Sequence, residues 1–180
     1  SEAQFALTNF SRTLWKQLAE ELPAECEYER CGTIWVAADE TEMVEVRRKH
    51  RYYSEHGIAS DILDARSLRN AEPNLAESMA GGLLVESDSV VYQLAANKFL
   101  IEKAASRRTS LMMGVGVASI SDGRVELADG SKIDSEIVIN AAGAAAPLLS
   151  PQLKIVKRKG HLVITDRYDG FIPHQLIELG

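Results

Sequence analysis

The sequence has few cysteines, few aromatic residues and no long apolar run. Its two cysteines, Cys26 and Cys31, cannot build a disulfide framework, and no neighbouring cysteine or histidine completes a zinc site. We therefore expect two small buried or half-buried thiols in a reducing compartment, and no metal. No stretch approaches the roughly 18 to 20 apolar residues that cross a bilayer. We expect neither a transmembrane segment nor a secretory signal.

Positive charge is also scarce. The 180 residues include 20 Lys and Arg against 26 Asp and Glu, a net charge of −6. The chain therefore lacks the positive field that nonspecific nucleic-acid binding needs. The overall composition is ordinary for a folded protein, with 46% hydrophobic and 26% charged residues. This composition supports about one domain and excludes wholesale disorder.

Apolar periodicity predicts alternating helices and strands. The helices are expected over residues 2–22, 39–56, 64–71 and 93–106. Asp39 or Thr41 is expected to cap the second helix, Asp64 the third, and Asp88 or Ser89 the fourth. The strands are expected over residues 29–38, 58–63, 79–86, 110–120, 136–140 and 154–165, and a further strand is expected to begin at Phe171. A hairpin is expected to join residues 124–127 to residues 132–133 through a turn at Asp129-Gly130. We expect the strands at 29–38, 79–86 and 154–165 to share one mixed sheet layered with helices.

The strongest local pattern runs from Gly123 to Gly143. A hairpin leads into the apolar run EIVIN, which has the pattern of a strand buried on both faces. Ala141, Ala142 and Gly143 follow, and small residues let a cofactor approach the backbone closely. An ordinary loop between a strand and a helix explains the same pattern equally well. The pattern alone leaves both interpretations open.

Five segments in a fixed order resemble a known family. They are CGTIWVA, LRNAEPNL, GGLLVESDSVVYQLAANKFL, DGSKIDSEIVINAAGAAAPLL and KRKGHLVIT. Together they resemble the FAD-dependent oxidoreductases of the D-amino-acid oxidase, glycine oxidase and sarcosine oxidase group. GGLLVESDSVVY is most similar to the flavin subunits of heteromeric amine dehydrogenases. Those are the hydrogen cyanide synthase, opine oxidase and hydroxyproline or proline dehydrogenase type.

The resemblance implies a mixed α+β fold in an incomplete chain. It implies a substrate-type mixed β-sheet layered with helices, plus the second half of an FAD-binding Rossmann-like domain. Residues 1–91 would belong to the substrate domain, 92–150 to the FAD domain, and 151–180 would return to the substrate domain. The G-x-G-x-x-G turn that holds the FAD pyrophosphate in the family does not occur in this sequence. FAD is therefore expected in the parent protein, and none on this chain alone.

The resemblance also implies positions for the site. Val117 would meet the adenine side of FAD through its backbone, and Ala141, Ala142 and Gly143 would lie against FAD in the same way. Many relatives have tryptophan shortly after this glycine, where the present chain has alanines, so a contact by that tryptophan is in doubt. His161 replaces the usual glutamine of the family's KGQ motif. Both His161 and His174 are candidates for the substrate side, although a lone histidine in a strand is more often structural.

The resemblance implies that the parent oxidises the C–N bond of an amine or amino acid to an imine. Electrons would pass from FAD to oxygen or to a partner subunit. The parent is expected in the cytoplasm, or peripheral to the inner membrane. No catalytic residue can be assigned from the sequence. The alternative is a stand-alone binding or interaction module that kept the substrate-domain fold without the cofactor. The isolated chain is also expected to self-associate through residues 115–117 and 136–143, unless the helix expected over residues 2–22 folds back and covers that surface.

Overall fold

The computed structural model describes residues 2–107, 109–166 and 168–179. The fold is mixed α/β, as predicted, and the chain divides into two compact units. One unit comprises residues 1–107 with 167–180, and the other comprises residues 108–166. In chain order the helices and strands are α1 (Glu2–Leu18), β1 (Thr33–Ala37), α2 (Glu40–Glu55), β2 (Asp61–Asp64), α3 (Ala65–Ala71), β3 (Gly81–Val85), α4 (Gln93–Ala105), β4 (Val117–Ser121), β5 (Arg124–Leu127), β6 (Lys132–Asp134), α5 (Ala146–Leu149) and β7 (Gln175–Glu178).

A four-stranded mixed sheet organises the unit of residues 1–107 and 167–180. Its strand order is β2-β3-β1-β7. Strand β1 pairs antiparallel with β3 and parallel with β7, and β3 pairs antiparallel with β2. The predicted pairing of the segments at 29–38 and 79–86 in one sheet is therefore confirmed, although both strands are shorter than predicted.

Helices cover both faces of β1, which explains why the TIWVA segment is apolar without alternation. On one face Met43 and Val46 of α2 pack against Ala37 and Leu83. On the other face Leu68 of α3 packs against Ile34 and Val36. A strand covered on both sides needs apolar residues at successive positions rather than at every second one.

Two of the predicted helix caps are confirmed. The Asp39 carboxylate accepts hydrogen bonds from the backbone N–H groups of Thr41 (2.8 Å) and Glu42 (2.9 Å). The Asp64 carboxylate accepts one from the N–H of Ser67 (2.7 Å). Each bond satisfies a donor that the first helical turn leaves unpaired.

The prediction that Asp88 or Ser89 caps α4 is wrong. Tyr92 occupies the N-cap position of α4 and makes no side-chain cap hydrogen bond. The chain before the helix is held by backbone bonds instead. The Tyr92 N–H donates to the Cys26 carbonyl (2.8 Å), and Glu29 and Val90 form a β-bridge with each other. These long-range bonds place the helix start beyond the turn, out of reach of the two candidate caps.

The unit of residues 108–166 contains a three-stranded antiparallel sheet in the order β4-β5-β6. The predicted hairpin between β5 and β6 is confirmed, since Val125 pairs with Ile133. Its turn is held by Asp129, whose carboxylate accepts from the backbone N–H of Ser131 (2.9 Å). Gly130 supplies the left-handed conformation that the turn requires, with φ of 84°.

Two predicted strands of this unit are wrong. Residues 136–140 form no strand, and Ile137 and Ile139 are 75% and 82% exposed. Residues 154–165 also form no strand, so they do not join the sheet of β1 and β3. A β-branched run forms a strand only where a neighbouring strand offers ladder hydrogen bonds. Among the described residues, none of the seven strands pairs with either segment.

Candidate functional site

Five of the predicted site residues lie in the unit of residues 108–166. Val117 begins β4, where its Cα pairs with that of Leu127, and the register of β4 shifts between Val117 and Ser119. Ala141, Ala142 and Gly143 form an exposed loop that leads into α5. His161 lies exposed in the segment without regular structure.

Asn140 organises the loop at residues 141–143, a role that the sequence analysis did not assign. Its side-chain amide donates to the Ala146 carbonyl (3.0 Å) and to the Ser150 hydroxyl (2.9 Å). Its side-chain oxygen accepts from the backbone N–H of Ala142 (3.2 Å). A single asparagine therefore joins both ends of the loop. Asparagine is suited to this position because it carries both donors and an acceptor.

The loop leaves its own backbone accessible. Gly143 has a φ of 55°, and a Cβ added there would meet nothing within 4 Å. Ala141 and Ala142 before it are also exposed. The geometry agrees with a loop that another group can approach closely.

The sixth predicted residue, His174, lies in the other unit and is paired with a buried glutamate. Its ring Nδ1 is 2.7 Å from Glu72 Oε1, and its backbone N–H donates to the same oxygen at 2.9 Å. Glu72 is only 1% exposed, and its Oε2 is buried with no hydrogen-bond partner among the described residues. Buried carboxylates are costly unless they are paired. The pair is therefore a defined feature of the fold, and Glu72 is a residue that the sequence analysis missed.

Neighbouring elements hold both members of this pair. Glu72 follows α3 directly, and its N–H donates to the Leu68 carbonyl (2.8 Å). His174 directly precedes β7, which runs parallel to β1. The Gln175 N–H donates to the Gly32 carbonyl (3.0 Å), which fixes the start of β7. Gly32 has a φ of 72°, a conformation that favours glycine, and a Cβ there would make an ordinary contact of 3.5 Å with the His174 ring carbon Cδ2.

A cavity of the same unit has a volume of about 1010 Å³. Its walls carry cations, aromatic rings and carboxylates, among them Phe5, Arg12, Trp35, Lys49, Glu45 and Asp88. The Lys49 ammonium lies 3.7 Å from the Trp35 ring centroid. Burial lowers the pKa of Lys49, and the neighbouring positive charge of Arg48 lowers that pKa further. Burial also raises the pKa of Tyr53.

Trp35 thus lies at the border between core and cavity. It packs against the buried cluster of Ala37, Met43 and Leu83. Its ring also lines the cavity, where the indole Nε1 is buried with no partner among the described residues. The Lys49 ammonium and the Trp35 indole face already form a cation–π contact with each other in this wall.

The FAD dependent oxidoreductase family, DAO, matches residues 1–178 of the chain. The chain belongs to this family. The D-amino acid dehydrogenase of Methylobacterium sp. is 28% identical over 175 residues, which cover 89% of this chain and 42% of that enzyme. The L-2-hydroxyglutarate dehydrogenase of Escherichia coli O17:K52:H18 is 25% identical over 130 residues, covering 70% of this chain and 30% of that enzyme. The chain thus spans less than half the length of these DAO relatives.

Solved structures agree with the DAO assignment. Glycine oxidase from Geobacillus kaustophilus superposes with a TM-score of 0.73 and 28% identity, covering 82% of this chain and 42% of that enzyme. L-proline dehydrogenase from P. horikoshii superposes with a TM-score of 0.81 over 99% of this chain and 50% of that enzyme. Its identity is 19%, so this likeness concerns the fold.

The chain offers an exposed loop at Ala141–Gly143 but lacks one part that an FAD site needs. A pyrophosphate needs a glycine-rich turn that presents N–H groups at a helix start, and the sequence has no G-x-G-x-x-G motif. The described residues hold no cluster of three or more His, Cys, Asp or Glu suited to a metal ion. None of the described helices is both long enough and apolar enough to cross a membrane.

Proposed function

We propose that these 180 residues are the central part of a longer FAD-dependent dehydrogenase or oxidase. This enzyme oxidises the C–N bond of an amine or amino acid to an imine, and the chain alone is inactive. The observation that carries the proposal is the family match over residues 1–178, combined with the lack of a pyrophosphate-binding motif. The likeness to a D-amino acid dehydrogenase and to a glycine oxidase, each 28% identical, favours an amino-acid substrate.

In the parent protein, FAD supplies the acceptor for the two electrons removed from the substrate. This chain contributes one wall of the cofactor site, the backbone of Val117 and of Ala141, Ala142 and Gly143. It also contributes the substrate sheet, with His174 at the start of β7. The exposed loop and its bracing by Asn140 support the first assignment.

The finer proposal concerns the type of DAO enzyme. GGLLVESDSVVY resembles the flavin subunits of the hydrogen cyanide synthase, opine oxidase and hydroxyproline or proline dehydrogenase type. We therefore assign the parent to a heteromeric amine dehydrogenase that passes electrons to a partner subunit rather than to oxygen. Its location would be the cytoplasm or the periphery of the inner membrane.

The test is to express the complete coding sequence that contains these residues. The purified product should carry one FAD, and anaerobic addition of glycine, proline or D-amino acids should bleach the flavin. An artificial electron acceptor should reoxidise it faster than oxygen does. The 180-residue chain with added FAD is the matched control and should show no substrate oxidation. Bleaching by L-2-hydroxyglutarate alone would contradict the C–N assignment, and fast reoxidation by oxygen would contradict the partner subunit.

A further inference from the structure

We propose that helix α1 is a strap that opens without unfolding the rest of its unit, and that its opening uncovers the cavity that contains Trp35 and Lys49. Helix α1 lines this cavity through Phe5 and Arg12. Helix α2 lines it through Lys49 and Tyr53. Detachment of α1 therefore removes one wall of the cavity. The strap is a property of the chain itself and does not depend on the proposed oxidation chemistry.

Helix α1 buries less of itself than the helices that cover the sheet. None of residues 2–18 is buried, whereas α2 buries Met43 and Val46, and α3 buries Leu68. Most helical stability in proteins comes from packing an apolar face, and an isolated helix of this length is marginal in water. An element with few buried apolar contacts opens at a lower free-energy cost than the core. Helix α1 therefore opens more readily than α2.

Aromatic rings fasten the first half of α1 to the end of α2. The Phe5 ring lies 4.7 Å from the His56 ring and 5.8 Å from the Tyr52 ring, both measured between centroids. Tyr52 is 39% exposed, so this contact lies at the surface. Loss of one aromatic pair changes an equilibrium by about two- to tenfold, so a contact of this kind is readily broken and remade.

Single side chains also fasten the second half of α1. Arg12 Nη1 donates to the Ser87 hydroxyl (3.0 Å). The Trp15 ring stacks with the Tyr28 ring, with centroids 6.5 Å apart. These contacts join individual side chains and leave no residue of α1 buried. They can therefore separate without opening a packed layer.

The chain that follows α1 is anchored to the rest of the unit. The Glu21 carboxylate pairs with the Lys103 ammonium of α4. Cys26 is fully buried, and its carbonyl accepts a hydrogen bond from the Tyr92 N–H at 2.8 Å. Opening of α1 therefore pivots at residues 19–20, between the helix and these anchors.

The first experiment follows amide hydrogen exchange of the 180-residue chain at low urea concentrations. The amides of α1 should exchange about a hundredfold or more faster than those of α2 near Val46, after correction for intrinsic rates. Their rates should also depend less on urea, because opening of α1 exposes less surface than unfolding of the unit. If α1 and α2 exchange together with one urea dependence, α1 unfolds only with the rest of the unit and the proposal is wrong.

A matched pair of variants tests the ring contact from within α1. Phe5→Ala should speed exchange in α1 by about two- to tenfold, whereas Phe10→Ala should not. Phe10 is 62% exposed and lies five positions from Phe5, about 140° around the helix. Equal acceleration by both variants would overturn the role of the ring contact.

A second pair tests the same contact without changing α1. Tyr52→Ala should speed exchange in α1, whereas Val44→Ala, at a position of α2 that is 56% exposed, should not. Unchanged exchange of α1 in folded Tyr52→Ala would contradict the fastening by this ring. If the variants do not fold, the comparison of α1 with α2 in wild type decides whether the strap opens.

The second experiment tests whether opening uncovers the cavity. An amine-reactive succinimidyl ester is added, and mass spectrometry of peptides gives the extent of reaction at Lys49 relative to Lys98. The Lys98 side chain is 77% exposed on α4 and serves as the internal reference. Phe5→Ala should raise this ratio by about two- to tenfold, and Phe10→Ala should leave it unchanged. An unchanged ratio in Phe5→Ala, with faster exchange of α1, would show that α1 does not control access to the cavity.

Discussion

Gly81 of β3 lies so close to Leu63 of β2 that a Cβ added to Gly81 would be 2.3 Å from the Leu63 carbonyl oxygen. The same Cβ would lie 2.9 Å from the Met43 sulfur of α2. The first of these obstacles is backbone within a hydrogen-bonded sheet and cannot rotate away. The start of β3 therefore requires glycine for close packing between two strands and a helix.

Gly81→Ala is expected to destabilise this unit by about 1–3 kcal/mol, the usual cost of overpacking a filled core. Urea unfolding followed by tryptophan fluorescence measures the change. Gly160→Ala is the matched control, because a Cβ at Gly160 would meet nothing within 4 Å. Equal stability of wild type and Gly81→Ala would contradict the close approach.

Acid should weaken the cap of α3. The backbone N–H of Ser67 bonds to the Asp64 carboxylate and lowers the pKa of Asp64 below its ordinary value of 3.8. A lowered pKa in the folded state means that the stabilisation is complete above the unfolded-state pKa and is lost as pH falls through the folded-state value. Asp64→Ala should therefore lower the urea midpoint at pH 7, and this deficit should shrink as the pH falls below about 4.

The measurement is a series of unfolding curves of wild type and Asp64→Ala from neutral to acidic pH. Asp64→Asn keeps the capping geometry and should retain most of the neutral-pH stability. If the urea midpoint of Asp64→Ala stays below that of wild type by the same amount down to the lowest pH, the ionised carboxylate is not the source of the stabilisation.

The isolated chain should carry no stoichiometric FAD. The open loop at Ala141–Gly143 offers backbone contacts, but no turn in the sequence has the motif that holds the pyrophosphate. The purified chain is therefore expected to be colourless. An absorbance spectrum showing one flavin per chain would contradict both this expectation and the proposal that the chain is part of a longer enzyme.

The isolated chain is also expected to self-associate. Ile137 and Ile139 are 75% and 82% exposed, and Val115 and Val117 are partly exposed. Exposed apolar side chains that lie close together favour association. Light scattering at micromolar concentration should show species larger than a monomer, and Ile137→Asp should reduce them.

Ser110→Asp adds the same charge at an exposed polar position of the same unit and serves as the control for this test. It should leave the association unchanged. A monomer in which Ile137→Asp alters neither solubility nor stability would refute association through these exposed side chains.

Local patterns predicted local structure well. Asp39 and Asp64 were recognised as helix caps, and Asp129-Gly130 as a hairpin turn, because each depends on hydrogen bonds within a few residues. The strands at 136–140 and 154–165 were predicted from β-branched composition alone. Strand formation depends on a partner elsewhere in the chain, and the described residues provide none for these two segments.

The sequence by itself determined the family, the helix caps, the hairpin and the central β-strands, since these depend on residue order and on short-range bonding. Only the tertiary structure decided that Glu72 and His174, 102 positions apart, share one oxygen atom. Nothing in NAEPNL or in FIPHQL marks a pair, because each segment is ordinary when it is considered alone. Their contact exists because α3 ends and β7 begins beside the same buried sheet. The pairing of β7 with β1 brings His174 to the one carboxylate that the core leaves without any other partner among the described residues.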